Sequence, residues 1–410
     1  MREMRDSGVA WIGEIPDDWE VKRTKYLFTL ESGATPKSEN DAYFDGDIPW
    51  ITPADYKTND VYVSQGRRNI SELGLNSCSA KLIPSGSIIF SKRAPIGAVA
   101  INTVALCTNQ GCLSCISKDE QNTKFFYYVM SICTDQYNLL GSGTTFKEIS
   151  ATNFAGFSLP NPSFQIQNQI VAHLDAACEK VKALIANVEA QIDKLKSYKQ
   201  SLITEVVTKG LDPTVPMKDS GVEWIGEIPA HWNVIRFRFI AKITTGNQDT
   251  QNANPDGIYP FYVRSPIVER CDTYTFDGEG ILMAGDGAGA GRVFHLVNGK
   301  YAVHQRVYRF YDFKYMKPAL MKLYLETMFS TVMDYGSAKT TVPSVRLPMI
   351  QDFYVCVPPE NEQQKMLLFL SEKTEKIEKL IAIKQAKIDK LNEYKKSLIY
   401  EYVTGKKEVS

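Results

Sequence analysis

The segment RDSGVAWIGEIPDDW at residues 5–19 returns as KDSGVEWIGEIPAHW at residues 218–232, with 11 of 15 positions identical. Two copies so alike mean that one structural problem has been solved twice in a single chain. A second pair shows the same duplication: QIDKLKSYKQSLITEVVT at 191–208 and KIDKLNEYKKSLIYEYVT at 387–404 share 12 of 18 positions. The first pair is offset by 213 residues and the second by 196, so the stretch between the constant ends is longer by 17 in the first half. Each half has a near-constant start, a variable middle and a near-constant end. The constant parts read as scaffold and the variable middles as recognition.

The constant ends carry a helical period over an unusual length. In the first, Leu174, Val181, Leu184, Ile192, Leu195 and Leu202 belong to a three-or-four-residue series, with neither Gly nor Pro from Ser163 to Lys209. In the second, Leu370, Ile377, Leu380, Ile388, Leu391 and Leu398 repeat the pattern after Pro358 and Pro359, which fix the helix start. Each helix has roughly 45 residues, hence about 70 Å at 1.5 Å per residue. An amphipathic stripe of that length needs a partner, and the two stripes match. An antiparallel coiled coil is therefore expected, with these twelve residues as its core.

The middles have another texture. Short β-rich runs such as Ser87–Phe90, Ile281–Met283 and Tyr308–Tyr311 alternate with Gly, Pro and Asn, and each middle holds one aromatic-rich helical segment, Phe125–Ile132 and Pro318–Phe329. Weak correspondences link them. Gly86–Gly97 runs parallel to Gly280–Gly291, Asn109-Gln110 to His304-Gln305, and Gly141–Thr145 to Gly336–Thr341. The fold class expected is α+β: two β-rich α+β globules joined by two long helices, in a pseudo-two-fold duplication. The expected boundaries are 1–160 for the first segment and recognition domain, 161–210 for the first helix, 211–356 for the second repeat and domain, 357–405 for the second helix, and 406–410 for a tail.

With 44% apolar and 23% charged residues over 410 positions, the chain falls among multi-domain globular proteins. Lys plus Arg and Asp plus Glu are equal at 47 each, so strong binding to nucleic acid by net charge alone is excluded. Any such binding is patchwise or assisted. The N-terminus lacks a secretory pattern, and the longest apolar run, Ile96–Cys107, is too short to cross a bilayer. A soluble, cytoplasmic protein with reduced cysteines is expected.

As a set, four features give a resemblance over essentially the whole chain to the specificity subunit of type I restriction-modification enzymes. They are the W-I-G-E-I-P-x-x-W segments at Trp11–Trp19 and Trp224–Trp232, Gly33-Ala-Thr-Pro36, Pro358–Gln363 before the last helix, and the paired helices. Gly33–Pro36 has no close copy near Thr245, and the proline element is reduced to Pro162-Ser163 with Gln167 in the first half. The resemblance implies a non-catalytic subunit whose two target recognition domains read the halves of a bipartite, asymmetric site in double-stranded DNA. It also implies that two adenine methyltransferase subunits dock on the helices and that restriction subunits join that core. Trp11, Trp19, Trp224 and Trp232 are the expected partner contacts.

Guanine suits Arg or Lys, adenine suits Gln or Asn, and phosphates suit Lys, Arg, Ser and Thr. Candidate DNA contacts at polar turns of the first middle are Lys37, Arg67, Arg68, Lys92, Arg93, Thr144, Thr145 and Lys147. In the second they are Arg264, Arg292, Arg306, Lys339, Thr340, Thr341 and Arg346. The other readings are a duplicated coiled-coil adaptor that binds proteins only, and a self-sufficient methyltransferase or nuclease.

Enzyme-like signals are present but incomplete. Cys107, Cys112 and Cys115, with Cys133, imitate iron–sulfur spacing, yet they fall on β-like sequence and have no counterpart in the second copy. Gly285–Gly291 fits a loose dinucleotide fingerprint, but the strand-like Arg292–Val297 follows where a helix should open. Asn161-Pro-Ser-Phe164 imitates an adenine methyltransferase element at a helix start. Asp17 and Glu20 imitate a nuclease metal site that the second copy lacks. No cofactor and no metal are expected.

Overall fold

The computed structural model describes residues 2–55, 60–143, 147–336 and 343–409. The chain forms two compact units, one of Met1–Val188 with Lys387–Ser410 and the other of Glu189–Ala386. Thr144, Thr145, Lys339, Thr340 and Thr341, expected as DNA contacts, lie outside the described residues.

Both units are built to one plan. In the first, a sheet runs in the order Phe28–Ser32, Cys112–Ser117, Ile88–Ser91, Val99–Asn102, Tyr62–Val63. In the second, Lys242–Thr245, Val307–Tyr311, Gly280–Ala284 and Phe294–Val297 repeat its first four positions. The central strands Ile88–Ser91 and Gly280–Ala284 are buried along their whole length. Alternation of side chains explains why. Ile88 and Phe90 join the helical core with Phe125, Phe126 and Tyr137, whereas Ile89 joins Ile51, Leu106 and Cys112. Likewise Ile281 and Met283 pack with Leu320 and Tyr324, and Leu282 packs with Tyr301 and Val303. Each sheet is thus covered on one face by helices and on the other by a second β-layer.

The long helices span Phe164–Lys209 and Glu360–Val403. In the first unit His173 meets Tyr402, with ring centroids 4.3 Å apart, and Leu174 shares a core with Leu398. In the second unit Lys384 Nζ donates to Gln191 Oε1 at 2.5 Å, Lys199 pairs with Glu378, and Val206 shares a core with Leu370. Residue numbers rise on one helix as they fall on the other, so the pairing is antiparallel within each unit.

Not every expected core position is used. Leu174, Val181, Ile192, Leu370, Ile377, Ile388 and Leu398 are buried, and Leu195, Leu202 and Leu391 are half-buried. Leu184 and Leu380 are a correction, since they are 49% and 47% exposed. A seam between only two helices covers about one side chain per turn, so the second residue of a helical step is left at the rim. Val181 and Ile192, like Ile377 and Ile388, are buried eleven residues apart, about three helical turns along the seam.

The repeated segment caps helix ends. In the first unit Ile12, Ile15 and Trp19 pack with Ile399, Tyr402 and Val403. In the second, Ile228 and Trp232 pack with Ile203, Val206 and Val207. Just beyond each helix stands a left-handed glycine, Gly210 at φ 78° and Gly405 at φ 73°. A Cβ on Gly405 would fall 2.4 Å from the Pro16 ring, so only glycine permits this approach. Trp19 and Trp232, expected as partner contacts, are instead buried in their own units. Trp11 and Trp224 are half-buried, stacked on Phe157 and Phe353.

A buried glutamine ties each long helix to its domain. Gln167 Oε1 accepts from Asn122 N at 2.8 Å while its Nε2 donates to Pro162 O at 2.9 Å. Gln363 does the same with Lys317 N at 2.8 Å and Pro358 O at 2.9 Å, and also donates to Tyr315 O at 2.7 Å.

Candidate nucleic-acid interface

Three backbone segments converge where the central strand of each sheet ends, along one rim of the domain. In the first unit Lys92 N donates to Gly111 O at 2.8 Å, and Lys92 O accepts from Ile149 N at 3.0 Å. In the second, Gly285 N donates to Arg306 O at 2.8 Å, and Gly285 O accepts from Val345 N at 2.7 Å. One frame is therefore built twice, with Lys92, Gly111 and Ile149 standing where Gly285, Arg306 and Val345 stand.

The side chains on that frame differ. In the first unit Glu148 gathers Lys92, at 3.1 Å, and Arg93, at 3.8 Å. In the second, Asp286 gathers Arg264, at 3.0 Å, and Arg306, at 3.5 Å. Arg93 bridges Glu148 through the backbone as Asp286 bridges Ser344, so the acid has moved from the third segment of the frame to the first. Each edge presents two cations around one carboxylate, in a different order. Such clusters hold Arg and Lys in fixed directions while leaving them able to meet phosphates or purine edges.

Close packing shapes the first edge further. A Cβ on Gly111 would meet Pro53 Cγ at 2.8 Å and Arg93 Nε at 2.9 Å, so Arg93 lies directly over this glycine. Beside it, Arg67 N donates to Asp55 Oδ1 at 3.0 Å and Arg67 Nη2 to Ala54 O at 2.9 Å. Lys147 and Arg346 are exposed next to Glu148 and Val345, and Arg292 closes the Gly285–Gly291 turn through its N–H to Gly289 O at 3.0 Å. Arg68 sits elsewhere, paired with Asp45 at 3.2 Å and 4.0 Å over the Phe44 ring. Lys37 is exposed in the loop after Pro36.

At the tip of this rim stands an uncharged residue in each unit, Gln110 in the first and Gln305 in the second. Asn109 Oδ1 accepts from Gly111 N at 2.9 Å, and His304 Nδ1 accepts from Arg306 N at 2.9 Å. Each bond tightens a turn that holds the intervening residue, Gln110 or Gln305, out in solvent. Thr35 Oγ1 donates to Gln110 Oε1, and Gln305 Nε2 donates to Asp249 Oδ2 at 2.9 Å. The alignment of Asn109-Gln110 with His304-Gln305 is the signal that finds them. Burial, then the neighbouring Arg264, holds His304 below the ordinary imidazole range, consistent with an unprotonated Nδ1 that accepts. Hydrogen bonds from Thr250 keep Asp249 below the usual carboxylate range.

The imitations of catalytic sites come apart. Cys107, Cys112 and Cys115 belong to three different core clusters, with burial pushing Cys107 up to about 11 and Cys115 higher still. The glycine run opens onto strand Phe294–Val297, and Asn161 ends a strand just before the first long helix. Among the described residues no cluster of three or more His, Cys, Asp or Glu could hold a metal ion, and no helix is long and apolar enough to cross a membrane.

The chain is thus a duplicated α+β protein with antiparallel long helices, whose two domains carry unlike polar edges on a common frame. It belongs to the type I restriction modification DNA specificity domain family, whose model matches residues 16–194 and 229–403. The MjaIX specificity subunit of a type I restriction enzyme from Methanocaldococcus jannaschii is 34% identical over 247 residues, covering 58% of this chain and 55% of that one. The EcoprrI specificity subunit from Escherichia coli is 25% identical, covering 73% and 75%. The match to the HindI specificity subunit of Haemophilus influenzae, 31% identical, covers 34% of that protein. The chain thus spans about half or less of the MjaIX and HindI relatives. A solved chain from a study of complex assembly and conformational transition of the type I R-M system shares the fold, with a TM-score of 0.68 at 14% identity over 95% of this chain and 98% of that one.

Proposed function

We propose that this chain is the DNA specificity subunit of a type I restriction-modification complex. Its domains, 1–160 and 211–356, each read one half of a bipartite, asymmetric duplex site, and the long helices set the number of base pairs between the halves. Adenine methyltransferase subunits dock on it, restriction subunits join them, and methyl transfer and cleavage reside in those partners. The chain's own contribution is positioning.

One observation carries this reading: the same backbone frame bears Lys92, Arg93 and Glu148 in one unit and Asp286, Arg264 and Arg306 in the other. Equal frames with unlike side chains suit two different half-sites, because groove readout depends on the donor and acceptor pattern presented. The balanced net charge, with 47 basic and 47 acidic residues, agrees with partners supplying part of the phosphate attraction. Footprinting of the assembled complex on duplex DNA tests it. Two protected patches a fixed distance apart are expected, and no protection in the presence of the partners would favour a protein-binding adaptor.

A further inference from the structure

We propose that Gln305 reads an adenine that stays stacked in the half-site of the second domain, and that Asp249 is the positioning residue that turns its amide for the task. This rests on the DNA-reading function proposed above and deepens it.

An amide side chain alone is ambiguous, since rotation by half a turn exchanges its carbonyl oxygen for its amino group. At Gln305 the ambiguity is removed. Its Nε2 donates to Asp249 Oδ2 at 2.9 Å. Asp249 is itself fixed, because its Oδ1 accepts from Thr250 N at 2.6 Å and from Thr250 Oγ1 at 3.0 Å, and its N–H donates to Asn252 Oδ1 at 2.8 Å. An ionised carboxylate only accepts, so the amino end of Gln305 must face it. Oε1 is thereby left as an acceptor for a partner outside the chain, with the second N–H of Nε2 on the same amide.

That pair, an acceptor next to a donor, complements the N6 amino group and N7 of adenine in the major groove. Guanine at the same place would set its O6 acceptor against Oε1. The backbone holds the pair in place: Gln305 N donates to Gln248 O at 2.8 Å, and the following N–H, of Arg306, is tied to His304 Nδ1 at 2.9 Å. Gln110 in the first domain differs in one respect. Its partner is the Thr35 hydroxyl, which both donates and accepts, so its amide is free to face either way.

Mapping of methylated sites in cells carrying the complete complex tests the assignment. Wild type should give a bipartite motif, and failure to do so counts against the DNA-reading function itself. With Gln305→Ala, one A·T position in one half-site should lose discrimination by roughly 10- to 100-fold, with the other half-site unchanged. Asp249→Asn keeps a residue suited to the cap but offers an amino group of its own, so the Gln305 amide can turn round and the same position should lose its preference for A over G. A bipartite wild-type motif that survives both substitutions unaltered overturns the proposal. So does relaxation of a G·C position, or of both half-sites together.

Discussion

His304 shows how much one side chain decides at the edge of the second domain. It is 3% exposed and uses Nδ1 as an acceptor, a role lost on protonation. Burial is the first cause holding it below the ordinary imidazole range, as it is for His295. A depressed folded value gives stability that is fully present above the unfolded value, near 6.5, and that falls as pH drops from there toward the lowered folded one. Urea unfolding of the chain should accordingly show a lower midpoint at pH 5.5 than at pH 7.5. His304→Asn, which copies Asn109 of the other domain, should keep the turn and reduce that difference. The same pH dependence in both proteins would assign the acid sensitivity elsewhere. The residue scale was also the least legible in sequence. Lysines and arginines at turns were readable as candidates, but the acids that organise them act across long separations, as Glu148 does on Lys92 and Asp286 on Arg264. Pairing of that kind leaves no local pattern.

Helices and strands were far more legible, because their periods are local. The long helices announced themselves through spacing and the absence of Gly and Pro, and the buried strands through runs such as Ile88–Phe90. Period and burial part company where a helical series is wider than the seam it feeds. A three-or-four-residue series includes Leu184 and Leu380, but a two-helix seam is too narrow to cover them. The repeated tryptophans are expected as partner contacts, whereas Trp19 and Trp232 seal the ends of helices. Gln167 and Gln363 are the joints between helix and domain, both 2% exposed with every polar atom engaged. Gln363→Ala leaves the Lys317 N–H and two carbonyls without their partner in a closed site. A loss of about 2–4 kcal/mol is expected from unsatisfied buried groups. Chemical denaturation that finds less than about 0.5 kcal/mol would show that the joint is not structural.

At the scale of the whole molecule, duplication supplies a common frame and divergence supplies the difference between its copies. Under the proposed function, like frames let one scaffold serve two recognition surfaces, and unlike charge orders let those surfaces read different bases. The long helices, each of more than forty residues, give the proposed function its ruler. Four residues added to each helix at facing positions beside Gln191 and Lys384 lengthen the pair by about 6 Å, or roughly two base pairs. The most direct measurement is therefore a map of methylated sequences from cells carrying the wild-type complex and from cells carrying the lengthened one. Two different half-sites kept intact in both, with the gap between them wider by one or two base pairs in the second, is the result expected. Half-sites that change when only the helices are altered, or a gap that stays the same, would contradict it.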